Sequence, residues 1–173
     1  FAVILDSDNF NIIVAQKGLM HFKVKLFGKK AHGAYPQRGV NAIEIAAKII
    51  NDLKNYKFNF IPYPLLKSPT VNIGTIAGGD KVNIVADWCE FQVDLRFLPD
   101  MDIKTILNQI KRIIARYAKK FKIEVEELQK PYTIDKRHPL VKNLAEATKK
   151  IKGKAHLKGS EGATVITLFQ DAN

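Results

Sequence analysis

The sequence lacks the features that mark secreted and membrane-spanning proteins. Its 173 residues include one cysteine, Cys89, so no disulfide can form within the chain, and we expect a reducing, cytoplasmic compartment. No apolar run approaches the ~20 residues that a bilayer-spanning helix needs. No signal peptide with a basic start and a small-residue cleavage site is readable. We therefore expect no membrane partner.

Complete catalytic motifs of the common kinds are also lacking. The sequence has no HExxH, no CxxC pair, no P-loop and no GxSxG. Lys and Arg number 28 against 17 Asp and Glu, which raises the idea of nucleic-acid binding. However, the basic residues are mostly lysines spread over every segment with acids interleaved, and no aromatic-rich RNP string is readable. We therefore expect no nucleic-acid partner.

Hydrophobic patterning predicts a β-α-β-β-α-β order between residues 20 and 127. Residues 20–27, 89–97 and 121–127 alternate apolar and polar side chains as half-buried strands do, and residues 70–77 also have the composition of a strand. Residues 42–53, capped by Asn41, and residues 103–117 repeat apolar side chains at helical spacing. The order is typical of a ferredoxin-like α+β fold, with two helices on one four-stranded antiparallel sheet.

The two ends of the chain have a different pattern. FAVIL at residues 1–5 is typical of a buried strand, and residues 138–154 of a helix. GSEGA at residues 159–163 predicts a tight turn, and the apolar run at residues 164–169 a buried element. Because natural domains seldom begin and end inside core elements, we expect the chain to be a piece of a longer protein.

Three polar residues in loops and strands are candidates for chemistry. His32 lies in a loop beside Gly33, where an imidazole can donate to a developing oxyanion, or is simply a surface histidine. Asn83 follows the turn GGDK and offers both a donor and an acceptor, or helps to form the turn. Arg96 lies on the polar face of a strand, where its guanidinium suits a substrate carboxylate or a surface ion pair.

Two carboxylates follow the apolar run at the start of the chain. Asp6 and Asp8 lie where the strand predicted at residues 1–5 ends. Carboxylates at the carboxyl edge of a sheet are common ligand positions in α/β proteins, and they are also common turn formers.

Three strings together resemble the aminoacylase/zinc-carboxypeptidase family of dinuclear metallohydrolases, whose members include desuccinylases, deacetylases, aminoacylases and glutamate carboxypeptidases. They are GKKAHGAYPQRGVNAIEIAAKII from residue 28, VNIGTIAGGDKVNIVADWCEFQVDLRFLP from residue 71, and GSEGATVITLF from residue 159. The resemblance covers essentially the whole chain. It implies a ferredoxin-like lid, or dimerisation domain, at residues 20–130, with fragments of an α/β catalytic domain at residues 1–19 and 131–173.

The resemblance also implies a function for the whole protein. Members are metal-dependent amidohydrolases or peptidases that cleave an N-acyl amino acid or short peptide with two divalent metal ions, zinc or else cobalt or manganese. The lid makes a homodimer, and the histidine at the position of His32 reaches the partner's active site to stabilise an oxyanion. Asn83 and Arg96 would contact substrate, Arg96 through a carboxylate. Asp6, or alternatively Asp8, would bind metal.

Departures from the family pattern limit what carries over. Ala86 stands where the family has a proline, and DSD stands where the family has an acidic residue followed by proline. The family's late Ser-Asp turn is Ser160-Glu161 here, and we carry these two residues over as substrate contacts.

Most metal ligands and the general base would lie outside the chain, so we expect the 173 residues alone to be inactive and to hold no complete metal site. The substrate's acyl group stays open. The alternative function is a non-enzymatic ferredoxin-like module that binds nucleic acid or mediates protein association.

Overall fold

A computed structural model describes residues 3–5 and 9–170. In chain order its elements are β1 Ile12–Gln16, β2 Gly18–Phe27, α1 Ala42–Asn55, β3 Thr70–Gly78, β4 Trp88–Phe97, α2 Ile103–Ala115, β5 Phe121–Gln129, β6 Tyr132–Thr133, α3 Pro139–Lys152, β7 Leu157–Ser160 and α4 Ile166–Gln170. The strands in this part of the chain form one four-stranded and one three-stranded sheet.

The four-stranded sheet has the order β3-β4-β2-β5, and every neighbouring pair in it is antiparallel. Alternate residues of the two central strands face the helices and are buried: Phe22, Val24, Leu26, Phe91, Val93 and Leu95. Burying side chains of this size contributes ~1.5–3 kcal/mol each, so the main core lies between this face and the helices. The predicted ferredoxin-like α+β fold is confirmed.

Helices α1 and α2 cover that face with the apolar stripes that the sequence predicts. The buried positions are Ala42, Ala46, Ile49 and Leu53 on α1, and Ile106, Ile110, Ile113 and Ile114 on α2. The side chain of Asn41 accepts hydrogen bonds from the amides of Ile43 and Glu44, which confirms it as the cap of α1. Asp102 caps α2 in the same way, accepting from the amide of Thr105 over 2.8 Å.

The three-stranded sheet is built from segments near both ends of the chain. Its central strand β1 pairs antiparallel with β6 and parallel with β7. Helix α3, which confirms the helix predicted at residues 138–154, packs on β1 through a small core of Ile12, Val14 and Val141. None of the helices in the described residues has the length and apolar character needed to cross a bilayer.

Two predictions for the ends of the chain are wrong. Residues 3–5, the described part of the strand predicted at residues 1–5, have no regular secondary structure, and Leu5 is 93% exposed. The strand of this region is β1 instead. The apolar run at residues 164–169 is predicted to be buried, and this is wrong for part of it. The run leads into the short helix α4, and Thr167 is buried but Val165 and Phe169 are about half exposed.

The chain crosses between the two sheets at two short connections within the described residues. Lys17 alone separates β1 from β2, and Lys130 with Pro131 separates β5 from β6. Because β2 and β5 are neighbours in the sheet, with Leu19 opposite Gln129, the two crossings lie side by side. They fall close to the predicted domain boundaries at residues 19/20 and 130/131, which stay predictions.

Candidate functional site

The loops that carry His32 and Asn83 are paired through their backbones. The amide of Gly33 donates to the carbonyl oxygen of Asn83 over 2.8 Å, and the amide of Val85 donates to Ala31 over 2.9 Å. His32 and Asn83 are both exposed. Two residues that lie far apart in the sequence are therefore presented together on one surface.

Glycines make the close approach of these loops possible. A Cβ atom at Gly33 would lie 3.0 Å from the carbonyl oxygen of Asn83, and one at Gly39 would lie 2.7 Å from that of Lys29. The His32 loop closes on itself where Lys29 and Val40 exchange two backbone hydrogen bonds of 2.9 Å each. The special residues of this stretch therefore build a compact loop that holds His32 outward from the sheet.

The imidazole of His32 has a defined hydrogen-bonding state. Its Nδ1 accepts a hydrogen bond from the amide of Ala34 over 3.1 Å. A ring nitrogen that accepts carries no hydrogen, so the neutral ring is assigned its hydrogen on Nε2. The neutral ring of His32 therefore has an N–H donor at Nε2, which suits it to stabilise a developing oxyanion.

An ion pair joins the two loops, and sequence reasoning missed it. Lys30 Nζ lies 2.7 Å from Asp80 Oδ2, and Asp80 Oδ1 accepts a hydrogen bond from Trp88 Nε1 over 3.0 Å. The hydrogen bond with Asp80 raises the pKa of Lys30, and those from Lys30 and Trp88 lower the pKa of Asp80. Both groups therefore stay charged at neutral pH. The local sequence does not show which acid faces Lys30, since Asp87 also lies 3.7 Å from its Nζ.

Arg96 lies on the open face of the four-stranded sheet and is held by its neighbour Asp94. Arg96 Nε and one terminal nitrogen contact the two oxygens of Asp94 at 2.7 and 3.0 Å. The guanidinium is half-buried, and its other N–H donors can still bind a ligand carboxylate. His21 Nε2 lies 3.6 Å from Asp94 on one side, and its Nδ1 lies 2.9 Å from Glu127 on the other. This cluster fixes the orientation of the guanidinium.

The structure does not bring Arg96 together with His32 and Asn83. Strand β4 runs from Trp88, which is hydrogen-bonded to the Asn83 loop, to Phe97. At ~3.3 Å per residue, the end of the strand near Asn83 is roughly 25 Å from Arg96. A small substrate cannot touch both ends of this strand within one protomer.

Ser160 is the last residue of β7, and Glu161 follows it in a bend, so the turn predicted at residues 159–163 begins two residues later than expected. Glu161 Oε2 is 2.6 Å from Lys17 Nζ, and Glu161 Oε1 accepts from the amide of Lys67 over 2.9 Å. Burial acts to raise the pKa of Glu161, but these partners outweigh it and lower the pKa. Ser160 Oγ accepts from the amide of Gly162 over 3.3 Å. That the two residues bind substrate stays a prediction.

The described residues do not form a metal centre. Asp6 and Asp8, the predicted ligand and its alternative, lie outside the described residues. Within residues 3–5 and 9–170, no group of three or more His, Cys, Asp or Glu side chains could hold a metal ion. The described residues therefore do not fit a dinuclear metal site.

Fold and paired loops together define a ferredoxin-like lid with a small flanking sheet. Residues 14–122 match the family model described as the peptidase dimerisation domain, of the M20 group. The chain belongs to this family, and the resemblance stated from the sequence is confirmed.

Curated relatives and solved structures agree with that assignment. The chain is similar to the acetylornithine deacetylases of Edwardsiella ictaluri, at 35% identity over 78% of this chain and 38% of the relative, and of Aliivibrio salmonicida, at 30% over 84% and 41%. It is also similar in structure to the aminopeptidase PepT of Bacillus cereus, with a TM-score of 0.78 and 26% identity over 96% of this chain and 45% of that one. A Staphylococcus aureus tripeptidase gives a TM-score of 0.70 at 26% identity, over 92% and 43%. The chain thus spans about two fifths of the length of the curated relatives it matches.

Proposed function

We propose that the full-length protein is a metal-dependent amidohydrolase that cleaves the amide bond of an N-acyl amino acid or short peptide. In this proposal the chain supplies the dimerisation lid. Family membership supports the proposal, and so do the names of its relatives, which include deacetylases and peptidases that act on amide bonds. The 173 residues alone would be inactive.

Our proposal for the active site is based on the distance between Arg96 and the two residues His32 and Asn83. One substrate can meet both groups only when the loops of a second copy reach toward the Arg96 of the first. The active site would then be shared across a homodimer, with His32 and Asn83 from one protomer and Arg96 from the other. Such an arrangement places the same residues twice about a two-fold axis.

The edge of the lid offers a surface for that second copy. Among the described residues, strand β3 has a neighbour on one side only, so its other edge can pair with another strand. Ile76 on β3 is 54% exposed, and Ile43 on the adjoining helix α1 is 42% exposed. We propose that the two copies meet along β3 and α1.

The chain's own residues have separate roles in this proposal. The Nε2–H of His32 and the side-chain amide of Asn83 would donate to the carbonyl oxygen as it gains negative charge. Arg96 would hold the substrate's carboxylate in an orientation fixed by Asp94. Ser160 and Glu161 follow from the resemblance as further substrate contacts.

Two divalent metal ions, zinc or else cobalt or manganese, belong to the proposal as the source of an activated water. Since the described residues do not fit them, their ligands are expected elsewhere, with Asp6 or Asp8 as the one ligand from this chain. Cys89 is buried and unpaired, which supports the proposed cytoplasmic location.

Assays of the full-length protein test the function. We expect it to hydrolyse members of a panel of acylated amino acids, N-acetylornithine among them, and of di- and tripeptides, when supplied with zinc, cobalt or manganese. A chelator should abolish the activity, and added metal should restore it. Inactivity on the whole panel together with salt-sensitive RNA binding would favour the non-enzymatic alternative instead.

The oligomeric state tests the shared site. We expect light scattering at tens of micromolar to give twice the chain mass for the full-length protein. Ile43→Glu should reduce that mass toward one chain, because it places a charge in the proposed contact. Lys111→Glu on α2, away from β3, is the matched control and should leave the dimer intact. A wild-type mass of one chain would contradict the shared site.

A further inference from the structure

A fully buried lysine lies at the crossing between the two sheets. Lys17 is the one residue between β1 and β2, and its exposed fraction is 0%. Its Nζ lies 2.6 Å from Glu161 Oε2 and donates to the carbonyl oxygen of Ser68 over 2.6 Å. A buried ammonium group is tolerated only when acceptors replace its lost hydration. Both contacts are therefore needed for the crossing to fold as it does.

The partners of Lys17 come from opposite sides of the crossing. Glu161 follows β7 of the three-stranded sheet, whereas Ser68 precedes β3 of the four-stranded sheet. The second carboxylate oxygen of Glu161 accepts from the amide of Lys67, so the same side chain contacts both the crossing and the loop before β3. That loop also touches β7 directly, since a Cβ atom at Gly159 would collide with the carbonyl oxygen of Leu65.

We propose that the ion pair of Lys17 and Glu161 fixes the orientation of the four-stranded sheet relative to the three-stranded sheet. Rotation about a one-residue connection would swing the lid, and the other connection, Lys130 with Pro131, is also short. The ion pair adds a third contact to these two connections, between the lid and the residues after β7. Lys17 and Glu161 are therefore positioning residues, which direct Arg96 and the lid loops. For Glu161, whose two carboxylate oxygens are engaged by Lys17 and the amide of Lys67, this role replaces the substrate contact that the resemblance implies. Only the catalytic consequence rests on the proposed function.

The unequal burial of the two partners makes the pair testable. The side chain of Lys17 is 1% exposed and that of Glu161 is 46% exposed. Glu161→Gln leaves a buried ammonium group without its countercharge, whereas Lys17→Met leaves a carboxylate that water can hydrate and an apolar side chain of similar length. We expect Glu161→Gln to lower the midpoint of thermal unfolding more than Lys17→Met does. The double variant should regain most of that loss.

The partly exposed pair of Lys25 and Glu124, 2.9 Å apart on the open face of the sheet, provides the matched control. Lys25→Met and Glu124→Gln remove the same groups from a place where both can be hydrated, so their effects should be small. Equal effects at the two pairs, or no loss in Glu161→Gln, would overturn the proposal.

Distances between spin labels measure the orientation itself. Lys111→Cys on α2 and Lys142→Cys on α3 place labels on exposed positions of the two halves, and Cys89 is too buried to compete. In the full-length protein, diluted with unlabelled chain, we expect a narrow distance distribution for the wild type and for the double variant of the control pair. The double variant Lys17→Met/Glu161→Gln should broaden it although its stability is regained. A distribution as narrow as that of the wild type would overturn the proposal.

Kinetics separate positioning from substrate contact. The double variant Lys17→Met/Glu161→Gln should lower kcat by ~10-fold or more with little change in KM, because misplacement of catalytic groups weakens the transition state most. A rise in KM alone, with a narrow distance distribution, would show that Glu161 contacts substrate and would overturn the proposal. If the wild type hydrolyses nothing, the proposed function fails, and the width of the distance distribution still decides whether the pair positions the lid.

Discussion

Lys30 and Asp80 join the two loops that present His32 and Asn83, with 2.7 Å between Lys30 Nζ and Asp80 Oδ2. Lys30 lies two residues before His32, and Asp80 lies three residues before Asn83. Exposed ion pairs contribute little to the free energy of unfolding. The ion pair of Lys30 and Asp80 is important for its position instead, because it limits how far the two loops can move apart.

Removing the charge of Asp80 should therefore impair catalysis more than stability. If the full-length protein has the proposed activity, we expect Asp80→Asn to lower its kcat by ~10-fold, and by at most ~10²-fold, since small displacements of catalytic groups are costly. The midpoint of thermal unfolding should hardly change. Asp135→Asn, which removes the exposed partner of Arg137 in the other half of the chain, is the control and should leave kcat unaltered. An unchanged kcat in Asp80→Asn would show that the backbone pairing suffices.

Replacing His32 tests the shared active site most directly. His32→Ala should lower kcat by about 10²–10³-fold with a small change in KM, because its hydrogen bond strengthens only as charge develops on the carbonyl oxygen. Mixed dimers of this variant with an Arg96→Ala chain should contain one site with both residues intact, and they are assayed at substrate concentrations well below KM, where both single defects lower the rate. Activity restored to about half of the sites in the mixed dimer confirms the arrangement. If mixed dimers form and stay inactive, His32 acts within its own protomer or not at all.

Replacing Arg96 should produce a different defect. Because Arg96 would hold a carboxylate that is charged before reaction begins, Arg96→Ala should raise KM by about 10–100-fold and affect kcat less. Arg96→Lys should restore little, since an ammonium group cannot contact Asp94 and a ligand with the same planar geometry. Asp94→Asn should raise KM by a smaller factor, because the amide still supplies one acceptor. A loss of kcat at constant KM in Arg96→Ala would contradict this role.

The open face of the sheet should weaken in acid. Hydrogen bonds from Lys122 and Lys25 lower the pKa of Glu124 from 4.5 to about 2. A carboxyl group with a lowered folded-state pKa stabilises the fold above its unfolded value and loses that contribution as pH falls through the folded value. The thermal midpoint of the wild type should therefore exceed that of Glu124→Gln by a small margin above pH 4.5. The margin should vanish as pH falls to about 2. A margin that is constant from pH 7 to pH 2 would contradict the role of the charge.

The four-stranded lid could be predicted from sequence because its two central strands are buried on one face and its edge strands pack on the core with one face only. Alternation in β2 and β4 follows directly from that burial, and the stripes of α1 and α2 follow from packing on the same face. The three-stranded sheet was harder to predict. Strand β1 is short and nearly continuous in apolar character, so it shows no alternation, and β6 has only two residues. These strands depend on pairing between distant segments rather than on local pattern.

The candidate site was predictable in its residues and not in its geometry. His32, Asn83 and Arg96 are named by a resemblance of short strings, but that resemblance does not show two of them side by side and the third at the far end of β4. Nothing near Lys17 marks it as buried, since a lysine before a glycine is typical of an exposed turn. Its partner Glu161 comes after the lid in the sequence, whereas Lys17 comes before it, so no local pattern connects the two residues.

The adjacency of Leu19 and Gln129 has a consequence for how such proteins arise. Opposed residues of antiparallel strands lie ~5 Å apart, so a segment of more than a hundred residues enters and leaves its host through a gap about as wide as a tight turn. A host domain could accept or lose the segment by exchanging one surface turn, without opening its own core. The same geometry would let residues 18–129 be inserted into an unrelated scaffold in place of one of its tight turns.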